Sequence, residues 1–260
     1  MKESYRNRIL STEISVKVNI PHSENLIMKR LSIFVVMFFL TLLYAQTNSS
    51  FVDIGFSPDG AFYCFAECGR VTNTDTGSRG YAEAFVVDVA KNEFIKGGKI
   101  KTTASFKTEN KSGWEVFKML RNENPEFFSA KKFPPKTNSV LLYQCGKDEE
   151  KKQVEFRDFE HSTEEKTIQY NVKLIEYSEG SGTGIATCFY LLVELKNEKN
   201  EVSRRVIVGN PKTKRVGVKS YALNSILSDS EGTSIIFVIE KKIAGEKGDY
   251  IQYMVETVKL

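Results

Sequence analysis

The chain has 260 residues, 37 Lys and Arg against 33 Asp and Glu, only two histidines and four cysteines. Six of the basic and three of the acidic residues lie in positions 1–45, which leaves 31 against 30 beyond them, so the sequence pI of about 8.7 is mostly a property of the leader. A near-neutral balance gives no electrostatic footprint for nucleic acid.

The first element in chain order is a targeting signal. Met28-Lys29-Arg30 precedes an apolar heart from Leu31 to Leu43, and Leu43-Tyr44-Ala45 ends in a small residue before Gln46. This is the order of a secretory signal peptide spanning 28–45, with cleavage expected between Ala45 and Gln46. The alternative is an uncleaved anchor, but the apolar heart is shorter than the ~20 residues a spanning helix requires. Residues 1–27 carry no apolar period or motif and read as an extension upstream of the true start. Residues 46–260 form a single secreted domain, whose membrane contact is confined to the signal peptide before cleavage.

Next comes Ser57-Pro58-Asp59-Gly60. Proline presets φ for the second turn position, Asp tolerates the third, and Gly accepts positive φ at the fourth. The following run, Ala61 to Cys68, puts Phe62, Cys64, Ala66 and Cys68 on one face and Tyr63, Phe65 and Glu67 on the other. Such a strand has little water on either side. A polar loop over 70–80, a strand over Tyr81 to Val89, a turn at Lys91-Asn92-Glu93 and weaker strands around Gly97-Gly98 follow.

One helix interrupts the strands. Ser112 and Glu115 fit a capping box. Trp114, Phe117 and Leu120 form an apolar stripe with Val116 and Met119 beside it, and Pro125 sets its far limit. Trp114 is expected to dock the helix on a sheet, with stacking on carbohydrate as the alternative. Strands then resume over Ser139–Cys145, Val154–Phe159, Thr167–Tyr177, Ala186–Leu195, Val202–Val208 and Arg215–Leu223, joined by polar connections including the charged run over 147–152.

The end of the chain echoes the beginning. Asp229-Ser230-Glu231-Gly232 matches Ser57 to Gly60 in position, Ser234 to Val238 matches the strand after it, and Tyr250 to Val258 aligns with Tyr81 to Val89. Two such units suggest repeated sheets that meet in space.

The turn, the aromatic strand, the Gly-containing loop and Phe85-Val86-Val87-Asp88 resemble a WD-like blade of the periplasmic Tol–Pal translocation propeller. Asp53 to Lys91, Val208-Gly209-Asn210-Pro211, Arg215 to Tyr221 and the second turn and strand together resemble a bacterial family of predicted secreted proteins of unknown function. This resemblance implies export and a β-rich fold. It implies no activity. The expected fold is mainly β, with antiparallel sheets built from blade-like repeats in a propeller-like arrangement (alternatively a β-sandwich) and one docked α-helix.

Few residues point to chemistry. Beyond the leader only His161 remains, in a polar stretch where an exposed, solvated ring is expected. Histidine-dependent triads and histidine metal sites therefore have a single candidate. Gly180 to Gly184 precedes a strand rather than a helix, which suits a hairpin loop better than a phosphate cradle. Asn73, Asp75 and Gly77 have calcium-loop spacing, but the twelfth position is Ala84 instead of a bidentate Glu. Cys64, Cys68, Cys145 and Cys188 are either buried small hydrophobes or disulfide partners in an oxidising compartment. Cys64 and Cys68 lie roughly 13 Å apart in one strand and cannot pair with each other. Glu67, Glu83 and Asp88 are carboxylates on expected strands. We expect no cofactor and no nucleic-acid partner. The functional expectation is a non-catalytic binding or interaction module of the cell envelope, with an envelope protein or glycan as partner; a carboxylate-dependent envelope hydrolase, such as a glycan-acting enzyme, is the alternative.

Overall fold

The computed structural model describes residues 49–73, 77–105, 110–146, 152–245 and 248–260. Strands β1 (Ser50–Phe56), β2 (Phe62–Asn73), β3 (Gly77–Asp88) and β4 (Glu93–Thr103) form an N-terminal antiparallel meander. Helices α1 (Gly113–Glu123) and α2 (Pro125–Ser129) follow, then β5 (Val140–Gln144). An outer sheet contains β6 (Gln153–Asp158), β7 (Ile168–Glu179) and β8 (Ala186–Lys196), with β9 (Val202–Val208) and β10 (Arg215–Val216) both paired to β8. The middle sheet has the order β13-β12-β11-β5, with β11 (Val218–Ser228), β12 (Ser234–Ile243) and β13 (Tyr250–Lys259).

Side-chain alternation stacks these sheets. Cys64, Ala66 and Cys68 of β2 pack with Val116, Phe117 and Leu120 of α1. The opposite face of β2, Tyr63 and Phe65, packs with Ile236 and Val238 of the middle sheet. The other face of β12, Ile235, Phe237 and Ile239, meets Phe189, Leu191 and Val193 of the outer sheet. The order is therefore helices, N-terminal sheet, middle sheet, outer sheet. β2 and β12 are each buried on both faces, as their unbroken apolar runs require. Truncating a fully buried phenylalanine such as Phe65 or Phe237 to alanine costs about 3–5 kcal/mol. The mainly antiparallel β expectation holds, and the sandwich alternative describes the layers. Among the described residues the sheets form no closed ring of blades.

The two turns share one hydrogen-bond scheme. Gly60 N donates to Ser57 O at 2.9 Å, and Gly232 N donates to Asp229 O at 3.1 Å. Backbone N–H of Ser57 and Asp229 donate to Phe62 O and Ser234 O, and both turn glycines have φ near +65° (+63° and +67°). Ser57 Oγ accepts from Phe62 N where Asp229 Oδ1 accepts from Ser234 N. Ser234 Oγ then donates to Gly60 O at 3.3 Å, so the turns touch. The tyrosines do not share a register: Tyr81 faces Gly69 and Tyr250 faces Ile243.

Helix α1 has the expected capping box. Ser112 Oγ accepts from Glu115 N, and Glu115 Oε2 accepts from Ser112 N at 2.7 Å. Its buried face is Gly113, Val116, Phe117 and Leu120. Trp114, expected to dock the helix, is 49% exposed and stacks on Phe117 with ring centroids 5.3 Å apart. The reason is the phase of the helix. The i, i+3, i+4, i+7 set starts at Gly113, where a Cβ would lie 2.4 Å from Gly69 N, and this close approach puts Trp114 on the rim. The expected polar loop over 70–80 is shorter than its composition suggests, because β2 continues to Asn73 and β3 begins at Gly77. Arg70 clamps this extension, donating from Nε to Ser78 Oγ at 3.0 Å and from Nη2 to Ser78 O at 2.8 Å.

Candidate functional site

The turn between β3 and β4 is shaped by Asp88. Its Oδ1 accepts from Lys91 N at 3.1 Å, its backbone O accepts from Asn92 N at 2.9 Å, and Lys91 Nζ lies 3.0 Å from Oδ2. Asn92 takes φ of +55°, a left-handed conformation that asparagine tolerates well. This aims its amide across the sheet interface at β13. Asn92 Oδ1 accepts from Thr257 N at 2.8 Å, while its Nδ2 donates to Glu256 Oε2. Thr257 Oγ1 donates to Val89 O at 2.8 Å. The N-terminal sheet is thus bolted to the edge of the middle sheet by one amide and one hydroxyl.

Glu256 is 5% exposed, and burial raises its pKa above the ordinary carboxylate value. The Asn92 amide and the charge of Arg215 oppose that shift. Arg215 Nη2 stands 3.8 Å from Glu256 Oε1. Its guanidinium lies 5.6 Å from the centre of the Phe189 ring and 5.9 Å from that of Tyr221. Both rings belong to the core between the middle and outer sheets. On a third side is Gly209, φ +90°, where a Cβ would sit 3.3 Å from the Glu256 carboxyl carbon. Segments from all three sheets therefore converge on one carboxyl. They surround a polar cleft of about 500 Å³ whose wall includes Lys91, Asn92, Asn210, Thr213, Arg215 and Glu256.

A second buried carboxylate, Glu67, also lies where the N-terminal and middle sheets meet. Glu67 accepts from Ser49 Oγ at 3.1 Å, Tyr81 OH at 2.9 Å and Tyr253 N at 2.6 Å. Burial raises its pKa, and these three donors with the charge of Lys241 offset part of that shift.

The other expected residues are placed as follows. Ser57, Pro58, Asp59 and Gly60 form the first turn, and Glu231 and Gly232 belong to the second. Cys64, Cys68, Cys145 and Cys188 are all buried, and none is in a disulfide. Cys64 and Cys68 lie under the helices and Cys145 in the core of the middle and outer sheets. Burial pushes the Cys68 thiol up to about 11 and raises that of Cys64 further. Glu83 pairs with Lys99 at 3.0 Å. Gly182–Gly184 is one 3-10 turn between β7 and β8. His161 is not solvated as expected. Its Nδ1 lies 2.9 Å from Oδ2 of the buried Asp158, and its ring fills the space where Gly232 has no side chain. Ala45, Gln46, residues 147–151 and the calcium-like spacing through Asp75 lie outside the described residues. Among the described residues no group of three or more His, Cys, Asp or Glu could hold a metal, and no helix is long and apolar enough to cross a membrane.

The model of a family described as predicted secreted protein (DUF2259) matches residues 73–259. The chain belongs to this family. DUF2259 proteins are predicted to be secreted, and this member is a secreted or periplasmic protein. Asn92, Arg215 and Glu256 fall within the DUF2259 match, whereas the first turn, Ser57 to Gly60, precedes it. No curated protein and no solved structure matches the chain. In the sequence Arg215 is legible only as a strand start and part of the family resemblance, Asn92 only as a turn residue, and Glu256 only as a strand position. The one legible signal was an acidic residue, Glu256, within the mostly apolar run from Tyr250 to Val258.

Proposed function

We propose that this protein is a non-catalytic binding module of the cell envelope, with its ligand held in the cleft around Glu256 and Arg215. The observation that carries the reading is the convergence of three sheets on one buried carboxyl, with amide, hydroxyl and guanidinium groups lining an open concave surface. Polar groups fixed on rigid strands present a preformed hydrogen-bonding pattern, which suits a hydroxyl-rich glycan or a polar peptide segment. The meander of β1 to β4 has the connectivity of a propeller blade, and that likeness also supports an interaction role.

Isothermal titration with soluble peptidoglycan fragments tests the glycan arm, and capture from envelope extract with a high-salt wash tests the protein arm. The rim variant Asn210→Ala/Thr213→Ala is expected to weaken whichever ligand binds by roughly tenfold, the worth of one or two hydrogen bonds. Unchanged affinity with an unchanged melting temperature removes the cleft from the reading. The hydrolase reading has one specific support: a carboxyl whose pKa is raised by burial is suited to act as a general acid. If glycan is turned over, and Glu256→Gln abolishes turnover while retaining binding, the hydrolase replaces the binding module.

A further inference from the structure

The β3–β4 turn has a second cavity on its other side. Phe85 pairs with Lys99 and Val87 with Phe94, so Ile95, Lys96, Gly97 and Gly98 loop out opposite the single residue Val86. This is a large bulge, a feature that re-aims side chains and often borders functional sites. Gly97 takes φ of +72°, and a Cβ on Gly98 would strike Ile95 Cγ1 at 2.5 Å and Val86 O at 2.9 Å, so the bulge is built around these two glycines. Between the bulge and the end of α2 lies a cavity of about 710 Å³. That volume falls within the ~300–1,000 Å³ common for small-molecule sites.

Its walls are apolar. Phe62, Val86, Ile95 and Phe127 line it, whereas Phe94, paired with Val87, sets its ring 5.5 Å from that of Phe85 on the opposite face of the sheet. Three lysines, Lys91, Lys96 and Lys131, line it with two carboxylates, Asp88 and Glu93. Asp88 is occupied by Lys91 at 3.0 Å. Lys131 Nζ sits 4.0 Å from the centre of the Phe62 ring, an ammonium held over the apolar wall. The lining carries one net positive charge beside a surface that would bury hydrocarbon.

The geometry points to a binding site for a free long-chain carboxylate, its alkyl chain along Phe62, Ile95 and Phe127 and its carboxylate on Lys131 and Lys96. The occupant follows from charge complementarity, since a single negative head matches the single excess cation and the chain matches the aromatic walls. This site is separate from the polar cleft, with Lys91 and Glu93 of the turn shared in the wall between them.

The test is isothermal titration of the full chain with decanoate, using butyrate, decanol and decyltrimethylammonium as comparators. Saturable one-to-one binding of decanoate is expected, with butyrate and the cationic amphiphile at least tenfold weaker. Lys131→Glu should weaken decanoate at least tenfold, and Lys96→Glu, on an exposed side chain, about fivefold, both with unchanged melting temperature. The Asn210→Ala/Thr213→Ala variant should bind decanoate as the parent does, which separates this site from the polar cleft. The inference is overturned if decanoate shows no saturable binding, or if decyltrimethylammonium or decanol binds as tightly. It is equally overturned if folded Lys131→Glu keeps the parent affinity.

Discussion

Glu67 and Glu256 are buried to the same degree, 5% exposed each, and burial raises the pKa of both. Their surroundings differ. Glu67 is closed in by two hydroxyls and a backbone N–H, and both oxygens are taken. Glu256 faces a cleft and has one amide donor and a guanidinium 3.8 Å away. A carboxylate enclosed by neutral donors fixes the register between two sheets. One that opens onto a cleft beside a single cation keeps acceptor capacity for something else. Equal burial therefore does not imply equal roles, and the donor count separates a rivet from a site.

The largest effect is expected at Glu67. Glu67→Ala leaves Tyr253 N and two hydroxyls without their acceptor, and should destabilise the fold by roughly 2–4 kcal/mol, each orphaned group costing about 1–3 kcal/mol before water relieves it. Denaturant unfolding with an unchanged slope reads this directly, and an unmoved midpoint would refute the rivet.

Next is the pH profile. Both carboxyls hold their proton in the folded state at pH values where the unfolded chain, with its ordinary value of 4.5, has already released it. The folded state thus binds more protons in that window. The contribution of each group to stability is highest below pH 4.5, falls as pH rises through the folded value, and is constant above it. The slope approaches about 1.4 kcal/mol per pH unit per group at most. Glu67→Gln and Glu256→Gln should each flatten the fall in stability that begins as pH rises above 4.5. Curves running parallel to that of the parent would show that burial does not govern these groups.

The smallest effect is expected at Tyr81→Phe. One of three donors to Glu67 is lost while its ring stays, at about 1 kcal/mol. Melting curves should show a modest drop, and a loss as large as that of Glu67→Ala would mean that Tyr81 organises the cluster.

Much of the fold was legible because it is periodic. The two faces of β2, the capping box of α1 and the two glycine turns follow from local rules of alternation, capping and positive φ. The weak strand signals around Gly97-Gly98 marked a real bulge rather than a break. What was illegible is what only packing decides. Trp114 has the composition of a core residue, but the close approach of Gly113 to Gly69 turns the helix so that it faces out. His161 reads as solvated until Gly232, a distant residue in sequence, supplies the space for its ring. The candidate site failed for the same reason: Asn92, Arg215 and Glu256 are 164 residues apart at the widest contact, and no spacing rule connects them.

The pairing of β5 has a consequence for how the chain is made. The N-terminal and outer sheets are assembled from neighbouring strands, but β5 at 140–144 pairs only with β11 at 218–228, and the middle sheet is completed by β13. Two of the three cores use that sheet as one wall. A chain emerging amino end first therefore carries two sheets, each with an apolar face uncovered, until β11 to β13 arrive. Such non-local closure slows folding and exposes surface for association. This is a fold whose vulnerable interval is set by the time needed to deliver β11 to β13.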